Sequence, residues 1–277
     1  MPQNARMAIP RTVTLQKRRG ETPLEAIQKW KMLHPQYANT PTSYAGRLDP
    51  MAEGKLLVLI GDECKRQPHY TKLDKEYVIE VLFDFSTDTG DVLGLPSYSG
   101  KEVNVSEKNV RAALEHERGA HSRAYPVFSS KTVNGTPLFV YALQGTLSTI
   151  QIPEHIETLY SIKLLNIRTE NSAKLYESIK NFLTDVPRSN EPSKALGSDF
   201  RQDEIRERWS EQFKSIPERN FYVATLTVTC GSGTYMRTLA QRIGKSLGTG
   251  ALALSIKRTK IGKYTQLGPL SFWSSQY

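Results

Sequence analysis

Three short stretches hold residues able to do chemistry. In GRLDPMAEGKLLVLIG, Asp49 is a lone carboxylate fixed in front of Pro50, with a small-residue turn and an apolar run behind it. A positioned acid can take a proton or attack an electrophilic carbon. Asp followed by Pro is also an ordinary helix start, with Asp as the cap. In KEY, Tyr77 opens a strand, where a ring commonly packs on its cross-strand neighbours. In GSGTYMRTLA, a glycine-rich turn feeds a helix, and free backbone N–H groups there could cradle a phosphate. That turn lacks the Lys-Ser/Thr ending of a Walker A loop and the spacing of the dinucleotide Gly-x-Gly-x-x-Gly pattern. Tyr235 and Arg237 lie two positions apart. On a strand end or irregular turn they point the same way, offering a stacking ring and a guanidinium together.

The flanking elements must position these groups. TPLEAIQKWKML reads as a helix: Thr22 is its cap, Pro23 its first residue, and Leu24, Ile27, Trp30 and Leu33 fall at helical spacing. KLLVLIG is continuously apolar and reads as a buried strand. EYVIEVLFDF alternates and is rich in β-branched and aromatic residues, which predicts a second strand. SEKNVRAALEHER predicts a helix capped by Ser106, and TLYSIKLLNIRTE and FYVATLTVTC predict further strands. Between those two strands, Leu175, Ile179, Phe182 and Leu183 share one helical face, and Ile205, Trp209 and Phe213 share another. The polar stretch VPRSNEPSKALGS connects them. Residues 171–220 therefore read as a helical hairpin inserted within a single domain spanning 1–277. The hairpin is either a source of extra contacts or a stabilising appendage. Strands and helices mixed along one chain argue α/β or α+β.

Composition narrows the classes. The 277 residues carry 37 basic and 28 acidic side chains, a net charge of +9, and 38% are hydrophobic. A sizeable core is possible, and the basic surplus suggests an anionic partner, nucleic acid first. The two cysteines, Cys64 and Cys230, are far apart and build neither a metal site nor a disulfide framework, so a reducing compartment is expected. No apolar run is long enough to span a bilayer, and the N-terminus lacks the apolar core of a signal peptide. The expectation is a cytoplasmic protein with no membrane contact.

Taken in order, GRLDPMAEGKLLVLIG, KEYVIEVLFDFSTDTGD, YPVFSSKTVNGTPLFVYA and GSGTYMRTLAQRIGKSLGTGALALSIKRTKIG resemble the signature blocks of the TruB family of pseudouridine synthases. KRRGETP resembles that family's opening Lys-x-x-Gly-x-Thr block. The resemblance covers most of the chain outside 171–220 and the last residues, and it implies no C-terminal PUA domain. It implies the pseudouridine synthase fold, α+β, with a mixed, mostly antiparallel central sheet flanked by helices. It also implies isomerisation of uridine to pseudouridine in tRNA, in the TΨC loop. The N1–C1′ bond breaks, the uracil turns, and it rejoins through C5. No net redox change or hydrolysis occurs, so neither cofactor nor metal is expected. The partner is the tRNA stem-loop; no protein partner is implied, and a monomer is expected.

Residue by residue, Asp49 matches the family's catalytic carboxylate, which attacks C1′ or removes the C2′ proton. Tyr77 matches the ring that stacks on the target base and assists proton loss at C5. Arg237 matches the arginine that pairs with the carboxylate and aims it. Tyr235 lines the pocket, and Ile256, in SIKR, is an apolar wall against uracil. Lys17 and Lys65 match basic positions near the cleft or the RNA, and Asp91, in TDTGD, a polar residue near the flipped loop. Tyr44 stands where many members carry a His that splays the RNA loop, and Arg18 where the family commonly has Pro. YPVFSSKTVNGTPLFVYA matches the mobile loop that clamps the stem-loop. No second acid is expected beside Asp49, which sets the chain apart from glycosidases with their paired carboxylates. The competing reading is a catalytically degenerate RNA-binding or RNA-folding protein on the same scaffold. The retained Asp49, Tyr77 and Arg237 speak against it.

Overall fold

Residues distant in sequence meet here because the last long strand lies in the middle of the sheet. The computed structural model describes residues 10–100, 103–186, 201–268 and 270–274. The strands are β1 (Thr12–Lys17), β2 (Thr42–Ala45), β3 (Ala52–Ile60), β4 (Asp74–Phe83), β5 (Phe85–Thr87), β6 (Pro96–Tyr98), β7 (Gly119–Ala124), β8 (Thr132–Val133), β9 (Thr136–Pro137), β10 (Glu154–Asn171), β11 (Asn220–Cys230), β12 (Ala251–Leu267) and β13 (Leu270–Ser274). The helices are α1 (Pro23–Leu33), α2 (Gln67–Thr71), α3 (Glu107–Glu115), α4 (Leu138–Gln144), α5 (Ser172–Asp185), α6 (Gln202–Ser215) and α7 (Met236–Ser246).

The main sheet runs β1-β3-β12-β4-β11-β10-β7, with β2 added to β3 and β13 to β12. Its pairings are antiparallel, save that β3 and β12 run parallel, with Ile256 opposite Ala52. This is the mixed, mostly antiparallel sheet the sequence led us to expect. The parallel contact is unusually close at Gly54. Its φ is +106°, and a Cβ there would stand 2.3 Å from the Arg258 carbonyl oxygen, so only glycine fits.

Local signals read from the sequence decide several element boundaries. Thr22 and Glu25 form a reciprocal capping box on α1, and the Ser106 side chain caps α3. Helix α1 buries Ala26 and Ile27 against Leu56 and Val58 of β3. Its other spaced apolar residues reach past this small contact, and Leu24 and Leu33 remain 55% and 79% exposed.

Helices α5 and α6 occupy the interval between β10 and β11. They bury Leu175, Ile179, Leu183, Ile205 and Trp209 in the main hydrophobic cluster, together with strand residues such as Val223 and Leu226. The Phe85 ring sits 5.3 Å from Trp209 and 5.4 Å from Phe213, and the Trp209 indole donates to the Val92 carbonyl at 3.1 Å. The sheet face is thus covered by this pair of helices. Most of the polar connector between them lies outside the described residues. No described helix is long and apolar enough to cross a membrane.

Candidate active site

Asp49 does not cap a helix. Pro50 and Met51 form a turn, the Ala52 N–H donates to the Asp49 carbonyl at 3.0 Å, and the chain enters β3. The N-terminal Lys-Arg-Arg-Gly segment holds that turn from behind. Lys17 donates through Nζ to the carbonyls of Ala52 (2.5 Å) and Pro50 (3.4 Å), and the Gly20 N–H donates to Pro50 O at 2.9 Å. Burial lowers the Lys17 ammonium to about 8, although the carboxylates of Glu21 and Asp49 pull the other way. Lys17 was expected near the cleft or the RNA; it is spent on backbone carbonyls beneath Asp49.

Arg237 ties the site together from the second position of α7. Its Nε donates to Asp49 Oδ2 (2.9 Å), Nη1 to Thr89 O (2.7 Å) and Nη2 to Phe128 O (3.0 Å). Three segments thereby share one guanidinium, which is only 5% exposed. Burial disfavours its charge, but Asp49 and Asp91 outweigh burial and shift the group further toward protonation.

Asp91 is the second acid that was not expected. Its Oδ2 lies 3.7 Å from Arg237 Nε, while Oδ1 accepts from Thr89 Oγ1 (2.8 Å) and the Leu93 N–H (2.9 Å). Burial raises this carboxyl to about 6, against the pull of Arg237 and Thr89. A raised carboxyl pKa favours the folded state when protonated. That component of stability is complete below pH 4 and is lost as pH climbs to about 6. Chemical denaturation from pH 4 to 7 is expected to show Asp91→Asn gaining on wild type by a few kcal/mol across that window. Parallel curves would remove Asp91 as the source.

Tyr77, on β4, faces Arg258 across the β12 register, and its phenol is pushed above its ordinary range by burial, with Arg258 opposing. Arg258 is itself buried and donates to Lys55 O (2.7 Å) and Gly46 O (3.0 Å), which pins the loop leading to Asp49. Lys75 lies beside it, its Nζ donating to Thr71 O at 2.8 Å and to Leu73 O; burial and then Arg258 lower it to about 8. Tyr235 caps α7. Its N–H donates to buried Glu157 at 3.2 Å, its ring meets Tyr125 edge-on, and burial lifts its phenol to about 12.

These groups enclose a cleft of about 880 Å³, with Asp49, Tyr77, Tyr235, Arg237, Ile256 and Arg258 in its wall. A second cavity of about 950 Å³ lies on the other side of the Asp49–Arg237 pair, between the 128–139 segment and helices α5 and α6. Tyr44 and Lys65 line neither. The Tyr44 side chain packs against the α1–β3 cluster, as Val13 and Leu15 do, and Lys65 is exposed and paired with Asp62 at 2.8 Å. Arg258 and Lys75 are wall residues that the sequence reading missed. Each lies two positions from a residue that was singled out, Ile256 and Tyr77, so the two-residue period of a strand would have found both. Among the described residues, no group of three or more His, Cys, Asp or Glu is placed to hold a metal ion.

Residues 36–181, over half of the chain, match the family model described as TruB family pseudouridylate synthase (N terminal domain). The chain belongs to the TruB family. Proteins named tRNA pseudouridine synthase B are among its relatives. The one from Shewanella denitrificans is 25% identical over 252 residues, covering 91% of this chain and 61% of its own length. The one from Listeria monocytogenes is 28% identical over 251 residues, covering 90% and 66%. The chain thus spans about three fifths to two thirds of these TruB relatives. A chain in the crystal structure of a Cbf5–Nop10–Gar1 complex superposes with a TM-score of 0.52 at 17% identity, covering 91% of this chain and 48% of that one. This likeness places the chain in the same fold.

Proposed function

We propose that this chain isomerises uridine to pseudouridine in tRNA, at the TΨC loop, using Asp49 as its catalytic carboxylate. The observation that carries the reading is the Asp49–Arg237 pair at 2.9 Å, set in a cleft that also holds Tyr77 and Ile256. Uracil enters between the Tyr77 ring and Ile256, which brings the ribose to Asp49. The acid then attacks C1′ or removes the C2′ proton. The detached uracil turns within the same walls and rejoins through C5, with Tyr77 assisting proton loss. One acid suffices because the leaving group is recaptured in place. Asp91 stays a supporting group, since its oxygens are committed to Thr89, Leu93 and the flank of Arg237. The target base must leave its stack, at a cost of a few kcal/mol offset by the aromatic wall and phosphate contacts.

Tritium release from C5-labelled uridine in a tRNA transcript, with the released position mapped, tests the reading. RNA binding without release would instead favour a degenerate RNA-binding scaffold. Affinity is expected to fall steeply with salt, because phosphate contacts of a chain at +9 displace counterions. A flat plot of log K against log salt would speak against backbone-driven binding.

Tyr77→Phe keeps the ring and removes the hydroxyl. RNA binding is expected to stay near wild type while product forms slowly or not at all. Tyr77→Leu also forfeits a base–aromatic stack worth roughly 1–3 kcal/mol. Single-turnover rates at saturating enzyme separate chemistry from release. A wild-type rate for Tyr77→Phe would reduce Tyr77 to a packing or stacking role.

A further inference from the structure

Ser129 lies in the wall shared by the two cavities. It is 6% exposed, and its Oγ lies beside the Tyr235 phenol without a well-aligned hydrogen bond. A buried hydroxyl with donor and acceptor capacity left over calls for an explanation, and a ligand contact is one. Its backbone is held in place. The Phe139 N–H donates to the Ser129 carbonyl at 3.2 Å, and Arg237 Nη2 donates to the carbonyl of Phe128 just before it. The same guanidinium holds Asp49, so hydroxyl and carboxylate are registered to one buried group.

The two cavities also indicate which part of a nucleotide Ser129 would meet. Asp49 and Ser129 line both, whereas Tyr77, Ile256 and Arg258 line only the first. A nucleoside with its base between Tyr77 and Ile256 therefore carries its sugar to the boundary where Asp49 and Ser129 sit. Either reaction route brings C1′ and C2′ toward Asp49. The substituent on C2′ is a hydroxyl that can donate and accept, as can serine.

We propose that the Ser129 hydroxyl hydrogen-bonds the 2′-hydroxyl of the target nucleotide, so that this chain selects ribose over deoxyribose at the reacting position. This rests on the pseudouridine synthase reading above. The experiment is a binding cycle with two stem-loop RNAs that differ only in uridine or 2′-deoxyuridine at the target, measured on Asp49→Asn so that neither reacts. Asp49→Asn is expected to bind the ribose form about tenfold tighter. Adding Ser129→Ala should reduce that preference to about twofold or less by weakening ribose binding alone. Ser129→Thr, which keeps a hydroxyl, should restore it, whereas a merely structural role would weaken both RNAs alike.

A tenfold preference that persists in Ser129→Ala would overturn the assignment. So would equal affinity for both RNAs in Asp49→Asn, a result that needs no Ser129 variant. Wild-type isomerisation of the ribose stem-loop is measured alongside. No isomerisation sinks the functional reading itself, whereas isomerisation with an unaltered preference sinks only the Ser129 contact.

Discussion

Asp49→Asn is expected to lower the single-turnover rate of isomerisation by at least about three orders of magnitude, with RNA affinity within a few-fold of wild type. The amide preserves shape and can still accept from Arg237 Nε, so the turn and its Lys17 and Gly20 supports stay in place. It lacks the nucleophilic and basic oxygen that either route needs. No neighbour can substitute: Asp91 is buried, and its Oδ1 is held by Thr89 and Leu93. A single-turnover rate for Asp49→Asn within about tenfold of wild type would remove Asp49 from the chemistry and the proposed function with it.

Arg237→Lys is expected to cost both activity and stability despite conserving charge. The guanidinium serves Asp49 Oδ2, Thr89 O and Phe128 O from separate nitrogens. An ammonium is a single point on a flexible stem and cannot span three diverging acceptors. At least one buried carbonyl would lose its partner, at about 1–3 kcal/mol each. The 128–139 segment would lose its register to Asp49, and the single-turnover rate should drop about a hundredfold or more. Thermal unfolding together with single-turnover kinetics checks both. A lysine variant that is as stable and as fast as wild type would show that aiming Asp49 does not depend on this fork.

Asp49, Tyr77, Tyr235 and Arg237 stand out in short blocks of the sequence, but it is the order of those blocks and their resemblance to the TruB family that gathers them, with Ile256, into one site. Strands β3, β4, β10 and β11 were readable from apolar runs and alternation, and α1, α3, α5 and α6 from caps and spacing. What local pattern could not provide is the company each residue keeps. The Asp49–Pro50 pair carries the same letters in a helix cap and in a turn, and only the Lys17 and Gly20 contacts from β1 and its following loop select the turn. Asp91 looked like a loop polar residue because its approach to Arg237 spans most of the chain. Tyr44 and Lys65 flank the site in sequence yet sit outside both cavities, since β2 and the turn after β3 carry them to another face. The paired helices α5 and α6 were legible as helices. Their burial against Phe85 and Phe221 was not, because those partners lie on other elements.

The central place of β12 has a consequence for how the protein is made. Strands β3 and β4 are synthesised early, but the partner that joins them is translated only after α7. At about 5–20 residues per second, the interval from Ile60 to Ala251 takes on the order of 10–40 seconds. Throughout that time the facing edge of β4, and the short Ala52–Gly54 stretch of β3 that will meet β12, present unpaired backbone N–H and carbonyl groups, whereas β2 already covers Leu57–Ile60. The nascent chain must therefore keep two open sheet edges from pairing with each other or with a neighbouring chain until Ala251–Gly262 arrives to separate them. Ile256 and Arg258 reach the cleft on that same strand, so its threading both closes the sheet and completes the pocket.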